Sequence, residues 1–352
     1  VPDIPKTMRA VVYRGVNDLR LETVPVPRIG ANELLVKVAV CGVCPTDIKK
    51  IQHGTVPPPR IFGHETAGTI VKIGNRQSAI GNFKVGDRVA LHHHVPCLKC
   101  HYCRHRAFAQ CATYKRTGIT AGFEPAGGGY AEYVRVMNFV LPGVVKIPAK
   151  NSFEEGAMLE PVNTVLKAVK RLELLRGDSV LVAGQGPIGL MFTKILQLQG
   201  VKVLATDLIP SRLKLAKKYG AKWTELATGK KPARFSAPLD DAIIAVPSDA
   251  AVQQAVERVR GAGKVLLFAH TKRGALAQVD LAGICLDEKD LIGSYSSDFT
   301  LQDEVARLVF SRRLDVRPLI THRFALVETA AAVALASRPT EASLKIVVNV
   351  GS

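Results

Sequence analysis

The sequence predicts an α/β protein with two architectures in series, an all-β unit and then a doubly wound parallel sheet. Three observations carry that prediction. The chain has 352 residues, about two domains' worth. Up to about Pro148, short Val/Ile/Leu runs are punctuated by Gly and Pro, the texture of strands joined by tight turns. From about Asn151, apolar strands alternate with helical stretches, the cadence of β-α-β units.

In the first part, 8–13, 33–40 and 68–74 are the clearest strands. Met8 reads as a natural start, which leaves residues 1–7 as an extension. In the second part a helix is expected over 153–175, then a strand at 180–184 and a helix at 188–199. A strand at 201–207 and a helix at 211–219 follow, with further strands at 223–226, 242–246, 264–269 and 290–294 and a helix at 250–260. Beyond Ser297 come a helix at 301–310, a strand at 321–324, another helix and a closing strand at 344–350.

Composition excludes several classes. With 47% hydrophobic and 22% charged residues, disorder, collagen and coiled coil are ruled out. No apolar run approaches the ~18 residues of a membrane span, and residues 1–6 have no apolar signal core, so a cytoplasmic location is expected. The 48 Lys and Arg exceed the 30 Asp and Glu by 18, which raises nucleic-acid binding as a rival. The basic residues are scattered, however (Lys49-Lys50, Arg104, Arg106, Lys217-Lys218, Lys230-Lys231, Arg312-Arg313), and the aromatic fraction is only 6%. That leaves few platforms on which bases could stack.

Gly184-Gln185-Gly186-Pro187-Ile188-Gly189 is G-x-G-x-x-G between a predicted strand and a predicted helix. The first glycine makes the tight turn, the second lets backbone approach a pyrophosphate, and the third lets helix pack on strand. Alone, such a loop is also an ordinary glycine-rich turn. Asp207, at the end of the next strand, adds a carboxylate for the adenosine ribose hydroxyls and favours NAD over NADP. Arg212 and Lys214 just beyond pull the other way.

Cys97-x-x-Cys100-x-x-Cys103-x7-Cys111 gathers four of the seven cysteines. Four thiolates on one short loop close a tetrahedral Zn–S4 shell with no open position, a structural site. An iron–sulfur or redox-active cluster is the alternative. His92, His93, His94, His101 and His105 are then surface groups or groups behind the cysteines. A second constellation is dispersed: Cys44 in Cys41-Gly42-Val43-Cys44-Pro45-Thr46-Asp47, then His64-Glu65, then Glu160-Pro161. Each residue taken alone reads as a core thiol, a satisfied histidine or a capping acid. Together they are the donor types of a catalytic zinc that keeps one position open.

From end to end the chain resembles the zinc-dependent medium-chain alcohol/polyol dehydrogenases, in the sorbitol and threonine dehydrogenase branch. The likeness rests on the Gly42-Val43-Cys44-x-Thr46-Asp47 turn, Gly63-His64-Glu65-x-x-Gly68, Gly86-Asp87-Arg88-Val89, the cysteine lobe, Glu160-Pro161, the glycine-rich loop with Asp207, Thr321-His322-Arg323-Phe324 and Leu344-Lys345-Ile346-Val347. It implies a GroES-like β-barrel catalytic domain over 1–150 with a structural zinc lobe at about 92–115. A Rossmann domain over 151–296 follows, and 297–352 returns to the catalytic domain. It implies Cys44, His64, Glu65 and Glu160 as ligands of the catalytic zinc, with Glu65 exchangeable, and Thr46 as the hydroxyl that passes the substrate proton on. Gly184, Gly186, Pro187, Ile188, Gly189, Asp207 and Arg212 would bind the cofactor. The implied reaction is hydride transfer from a secondary alcohol or polyol to NAD, with two zinc ions per chain in a homodimer or homotetramer, and with neither nucleic acid nor membrane as partner. One position departs from the family: a histidine that often ends the proton path is Lys49 here, with His53 as a substitute. A zinc-free quinone or enoyl reductase of the same fold would lack these ligands.

Overall fold

The computed structural model describes residues 4–74, 83–92, 95–116, 127–227, 239–269, 274 and 276–351. The chain divides into two units, Val1–Asn163 with Ser297–Ser352, and Thr164–Ser296.

The first unit opens with β1 (Thr7–Gly15), β2 (Asp18–Pro25), β3 (Leu34–Gly42), α1 (Pro45–His53), β4 (Arg60–Ile61), β5 (Glu65–Ile73) and β6 (Arg88–Leu91). The cysteine lobe holds α2 (His101–Arg104) and α3 (Ala112–Arg116), and β7 (Tyr133–Val136), β8 (Val145–Lys146) and α4 (Phe153–Ala157) follow. Val11 and Val12 of β1 and Val36, Val38 and Val40 of β3 are buried, as β-branched side chains favour on a pleated surface. Tyr13, Leu34, Ile61, Ile70 and Tyr130 lie fully inside, and Tyr13 meets Phe62 edge to face at 5.3 Å.

α5 (Leu159–Lys170) leads into the second unit. Its elements are β9 (Ser179–Ala183), α6 (Pro187–Leu198), β10 (Lys202–Asp207), α7 (Pro210–Lys218), β11 (Trp223–Leu226), β12 (Asp241–Ile244), α8 (Asp249–Arg258), β13 (Lys264–Leu267), α9 (Leu281–Leu286) and β14 (Asp290–Gly293). The strands form one sheet in the order β11-β10-β9-β12-β13-β14, every pair parallel. This is the 3-2-1-4-5-6 order of a doubly wound sheet, which reverses beside the first strand and there leaves room for a ligand at the strand ends.

The chain then returns through α10 (Gln302–Phe310), β15 (Ile320–Ala325), α11 (Thr329–Ser337) and β16 (Lys345–Asn349). β16 pairs antiparallel with β3, so the last strand extends the sheet β15-β16-β3-β5-β6-β8, to which β7 adds along β3.

Two expectations change. The helix expected over 153–175 is two helices, α4 and α5, broken at Met158. Pro161 has no N–H to give the carbonyl of Ala157, so it is accommodated only by a new first turn. The first unit also runs on to Asn163 instead of ending at 150, because α4 packs against β3, β5 and β6. Ser152 caps α4 in a reciprocal box with Glu155, which fixes the turn out of the sheet.

Candidate active site

Cys44 stands in extended conformation as the N-cap of α1, with Pro45 at the first helical position. That start aims the first turn of α1, carrying Thr46 and Asp47, toward the beginning of β5. Buried Asp47 accepts from the amide of Gly63 at 3.1 Å, and the same Oδ2 stands 3.0 Å from Nδ1 of His64 as an ion-pair contact. A carboxylate on Nδ1 fixes the ring and its tautomer, and leaves Nε2 as the basic nitrogen. Cys44 lies close enough to the same ring to favour its charged form. Burial pulls the His64 pKa down, but Asp47 and Cys44 outweigh it and hold it well above the usual imidazole range.

Glu65 begins β5 and is 2% exposed. Its carboxylate has room only because residue 42 is glycine: a Cβ there would sit 1.9 Å from Oε2. Lys345, on β16 and 6% exposed, donates to Glu65 Oε1 at 2.6 Å and to the carbonyl of Val43 at 3.0 Å, and also pairs with Oε2. Glu160, in the first turn of α5, is 5% exposed. Burial pushes its pKa up to about 7, with His64 and Lys345 pulling down and Glu65 and Asp47 adding to the rise. The site thus joins a thiol, an imidazole and two carboxylates, the donor set of an open zinc site.

The four predicted ligands do not converge on one point as the lobe cysteines do. Among the described residues, Cys97, Cys100, Cys103 and Cys111 are the one group of three or more such side chains whose donor atoms all lie within 4.8 Å of one another. At the dispersed site the ammonium of Lys345 takes the place of a cation on Glu65. The chemistry of the donors fits the metal all the same, and the Asp47–His64 pair already sets the imidazole for it.

The lobe fits a metal more directly. Cys100 Sγ is 3.4 Å and Cys97 Sγ 4.0 Å from Cys103 Sγ, near the ~3.8 Å edge of a tetrahedron with Zn–S bonds of about 2.3 Å. Hydrogen bonds from the Lys99 and Cys100 amides draw Cys97 down to about 6, while burial and neighbouring sulfurs push Cys103 up to about 12. Four thiolates ionise together only around a cation. Of the histidines, His101 and His105 are exposed. His92 is fully buried against Ser297, 3.5 Å away, and burial lowers it to about 4, so it is no surface group. His93 and His94 lie outside the described residues.

At the glycine-rich loop, Gly184 has φ +91°. A Cβ on Gly189 would lie 1.8 Å from the carbonyl of Gly184, whereas one on Gly186 meets nothing within 4 Å. The loop is therefore closed toward the protein and open where a pyrophosphate would come. α6 starts at Pro187 with no acid in its first turn, so its free N–H groups face outward as an anion site. Asp207 accepts from the Gln185 amide at 2.6 Å through Oδ2 and from the Ile209 amide at 2.8 Å through Oδ1. Arg212 stands 3.9 Å from Oδ2. Loop, helix start and acid meet at the point where the strand order reverses.

Comparison with known proteins agrees. Residues 30–149 match the family of the alcohol dehydrogenase GroES-like domain, and 187–311 that of the zinc-binding dehydrogenases. The chain is 30% identical to a sorbitol dehydrogenase of Bombyx mori over 97% of its own length and 98% of the relative's. It belongs to the zinc-dependent medium-chain alcohol/polyol dehydrogenases. A sorbitol dehydrogenase of Bacillus subtilis is 29% identical over 98% of both chains. Among solved structures, a zinc-binding dehydrogenase of Sinorhizobium meliloti bound to NADP superposes with a TM-score of 0.87 at 26% identity, covering 98% of this chain and 100% of that one. An Escherichia coli alcohol dehydrogenase with NADH gives 0.86 at 25%, with the same coverage.

This dehydrogenase is therefore an oxidoreductase of alcohols or polyols that uses zinc and a nicotinamide cofactor, built from a GroES-like and a Rossmann domain. Two residues of its site carry roles that the sequence reading did not give them. Asp47 was visible inside a motif, but its role depends on which nitrogen of His64 it meets. Lys345 was signalled only by being a lysine in an apolar strand, 280 residues from its partner.

Proposed function

We propose that the enzyme oxidises a secondary alcohol or polyol to the ketone with NAD, and runs in reverse, at a zinc held by Cys44, His64, Glu65 and Glu160. The observation that carries this reading is Asp47 Oδ2 standing 3.0 Å from His64 Nδ1, with Cys44 acting on the same imidazole, beside two buried carboxylates. When bound, zinc supplies Lewis-acid stabilisation of the substrate's alkoxide, and the nicotinamide takes up the hydride. The protein does the rest. Asp47 would hold the imidazole in the tautomer that can ligate zinc, and Lys345 gives Glu65 a cationic partner of the protein's own. Thr46 hands the proton along α1, where residues 46, 49, 50 and 53 share one face. Lys49 is half-buried, and desolvation lowers its pKa against the opposing pull of Cys44. It relays better than a solvated lysine, and His53, exposed at the helix end, completes the exit. Gly184, Gly186, Pro187, Ile188 and Gly189 bind the pyrophosphate. Asp207 takes the ribose, with Arg212 beside it, and this favours NAD. A second zinc on Cys97, Cys100, Cys103 and Cys111 holds the lobe together, in a cytoplasmic setting that keeps thiols reduced.

The working form is a homo-oligomer. β14 ends the six-stranded sheet, and Leu276, Leu281 and Leu286 nearby in sequence are 90%, 72% and 83% exposed. An open edge beside bare leucines is what a second copy would cover by antiparallel pairing. The deciding experiment follows NADH and NADPH formation across polyols, amino alcohols and primary alcohols, with metal analysis of the same protein. Two zinc ions per chain and NAD-dependent oxidation of a secondary alcohol are expected. Activity that survives complete zinc removal would reject the scheme.

A further inference from the structure

The first unit carries a groove of about 500 Å³ that shares no residue with the active site. It lies between the segment before α4 and the C-terminal half of α10. Lys150, Arg307 and Arg313 line it against one carboxylate, Glu304, and Pro148, Leu308 and Phe310 supply the apolar lining. Nearby in sequence, Arg317 and Arg323 fork onto Asp315 and Glu154, and Arg312 pairs with Glu155. Among the described residues, Lys150, Arg307 and Arg313 form no such ion pair.

The frame that presents these cations is fixed. Arg312 donates to Glu155 Oε1 at 3.0 Å and to the carbonyl of Lys150 at 2.9 Å. Asn151, 2% exposed, donates to Glu155 at 2.9 Å and to the carbonyl of Phe310 at 3.3 Å. Both walls are thus tied to one buried acid. Three cations against the one carboxylate of Glu304 leave the groove with an excess of positive charge, which favours a further anion. Guanidinium groups match phosphate oxygens two at a time. The volume suits a small molecule, and the apolar lining suits one with a carbon body.

We propose that this groove is a second anion site, which takes a small organic phosphate independently of the dinucleotide loop. Arg307 and Arg313 grip the phosphate, Lys150 adds charge, and Leu308 and Phe310 carry the organic part.

The test is calorimetric titration of the NADH-saturated enzyme at low ionic strength with phenyl phosphate, and separately with inorganic phosphate. Saturation with NADH removes the glycine-rich loop as a competitor. Phenyl phosphate is expected to bind one per chain and several-fold tighter than inorganic phosphate. The R307A/R313A double variant should weaken it by about tenfold or more and K150A by less, with melting temperature and kcat unchanged, since all three side chains are exposed. No saturable binding overturns the proposal, and so does equal affinity in R307A/R313A. Equal affinity for the two phosphates removes the organic part of it. A short DNA duplex that binds at these arginines more tightly than phenyl phosphate would replace it with nucleic-acid binding.

Discussion

The two metal constellations solve one problem in opposite ways. The lobe takes its four donors from 15 consecutive residues, 97–111, and brings the four sulfurs close to one another. Its sulfurs already lie at tetrahedral spacing. The active site draws Cys44, His64, Glu65 and Glu160 from α1, β5 and α5, and surrounds them with countercharges of the protein's own: Asp47 behind the imidazole and Lys345 on Glu65. A closed site needs its metal in order to exist.

The largest test of that contrast crosses the two sites. Cys44→Ala or His64→Ala should lower kcat/KM by about 10³-fold or more, the loss of several kcal/mol of Lewis-acid stabilisation, while NADH binding survives in a fluorescence titration. Cys103→Ser should do the reverse, removing one zinc per chain and lowering the melting temperature before it touches NADH binding. Equal loss of stability in both would erase the distinction.

Lys345→Met leaves Glu65 buried without its partner, at a cost of about 3–5 kcal/mol in the zinc-free protein. Chemical denaturation should show a smaller loss once zinc is restored, because the cation then neutralises the carboxylate. A loss equal in both forms would mean that Lys345 serves packing alone. Asp47→Asn keeps the shape but weakens the orienting charge, and should reduce zinc affinity or turnover by about 10–100-fold, read by competition with a chelator.

The smallest effect is a slope. Glu160 titrates at about 7 in the fold against 4.5 as a free side chain, so between those values the folded zinc-free protein holds the proton more firmly than the unfolded chain. Stability must then fall as pH rises through that window, by up to about 1.4 kcal/mol per pH unit. Glu160→Gln should flatten this part of the curve, measured by denaturation from pH 4.5 to 7.

Most of the fold was legible because it is written in local signals. The glycine-rich loop, the strand before it and Asp207 fall within 28 residues (180–207), and the loop in the structure closes around that acid through a single amide. The cysteine lobe is equally local. What escaped depends on partners distant in sequence or on a backbone detail. Pro161 splits a helix that its apolar spacing drew as continuous. Asn151 to Asn163 belongs with the first unit because α4 packs on strands more than 60 residues earlier. His92 read either as a surface group or as one behind the cysteines, and the choice depends on Ser297, 205 residues on, which stands 3.5 Å from its ring. Lys345 had no visible purpose until the fold set it against Glu65.

The antiparallel seam between β16 and β3 has a consequence for biosynthesis. The sheet of the first unit is made mostly from strands before residue 150, but the strand that carries the ammonium for Glu65 emerges after the whole six-stranded sheet of the second unit. At ~5–20 residues per second, the ribosome leaves that acid waiting roughly 15 to 60 seconds for its mate. During the interval only residues 40–42 of β3 lack the partner that β16 later supplies.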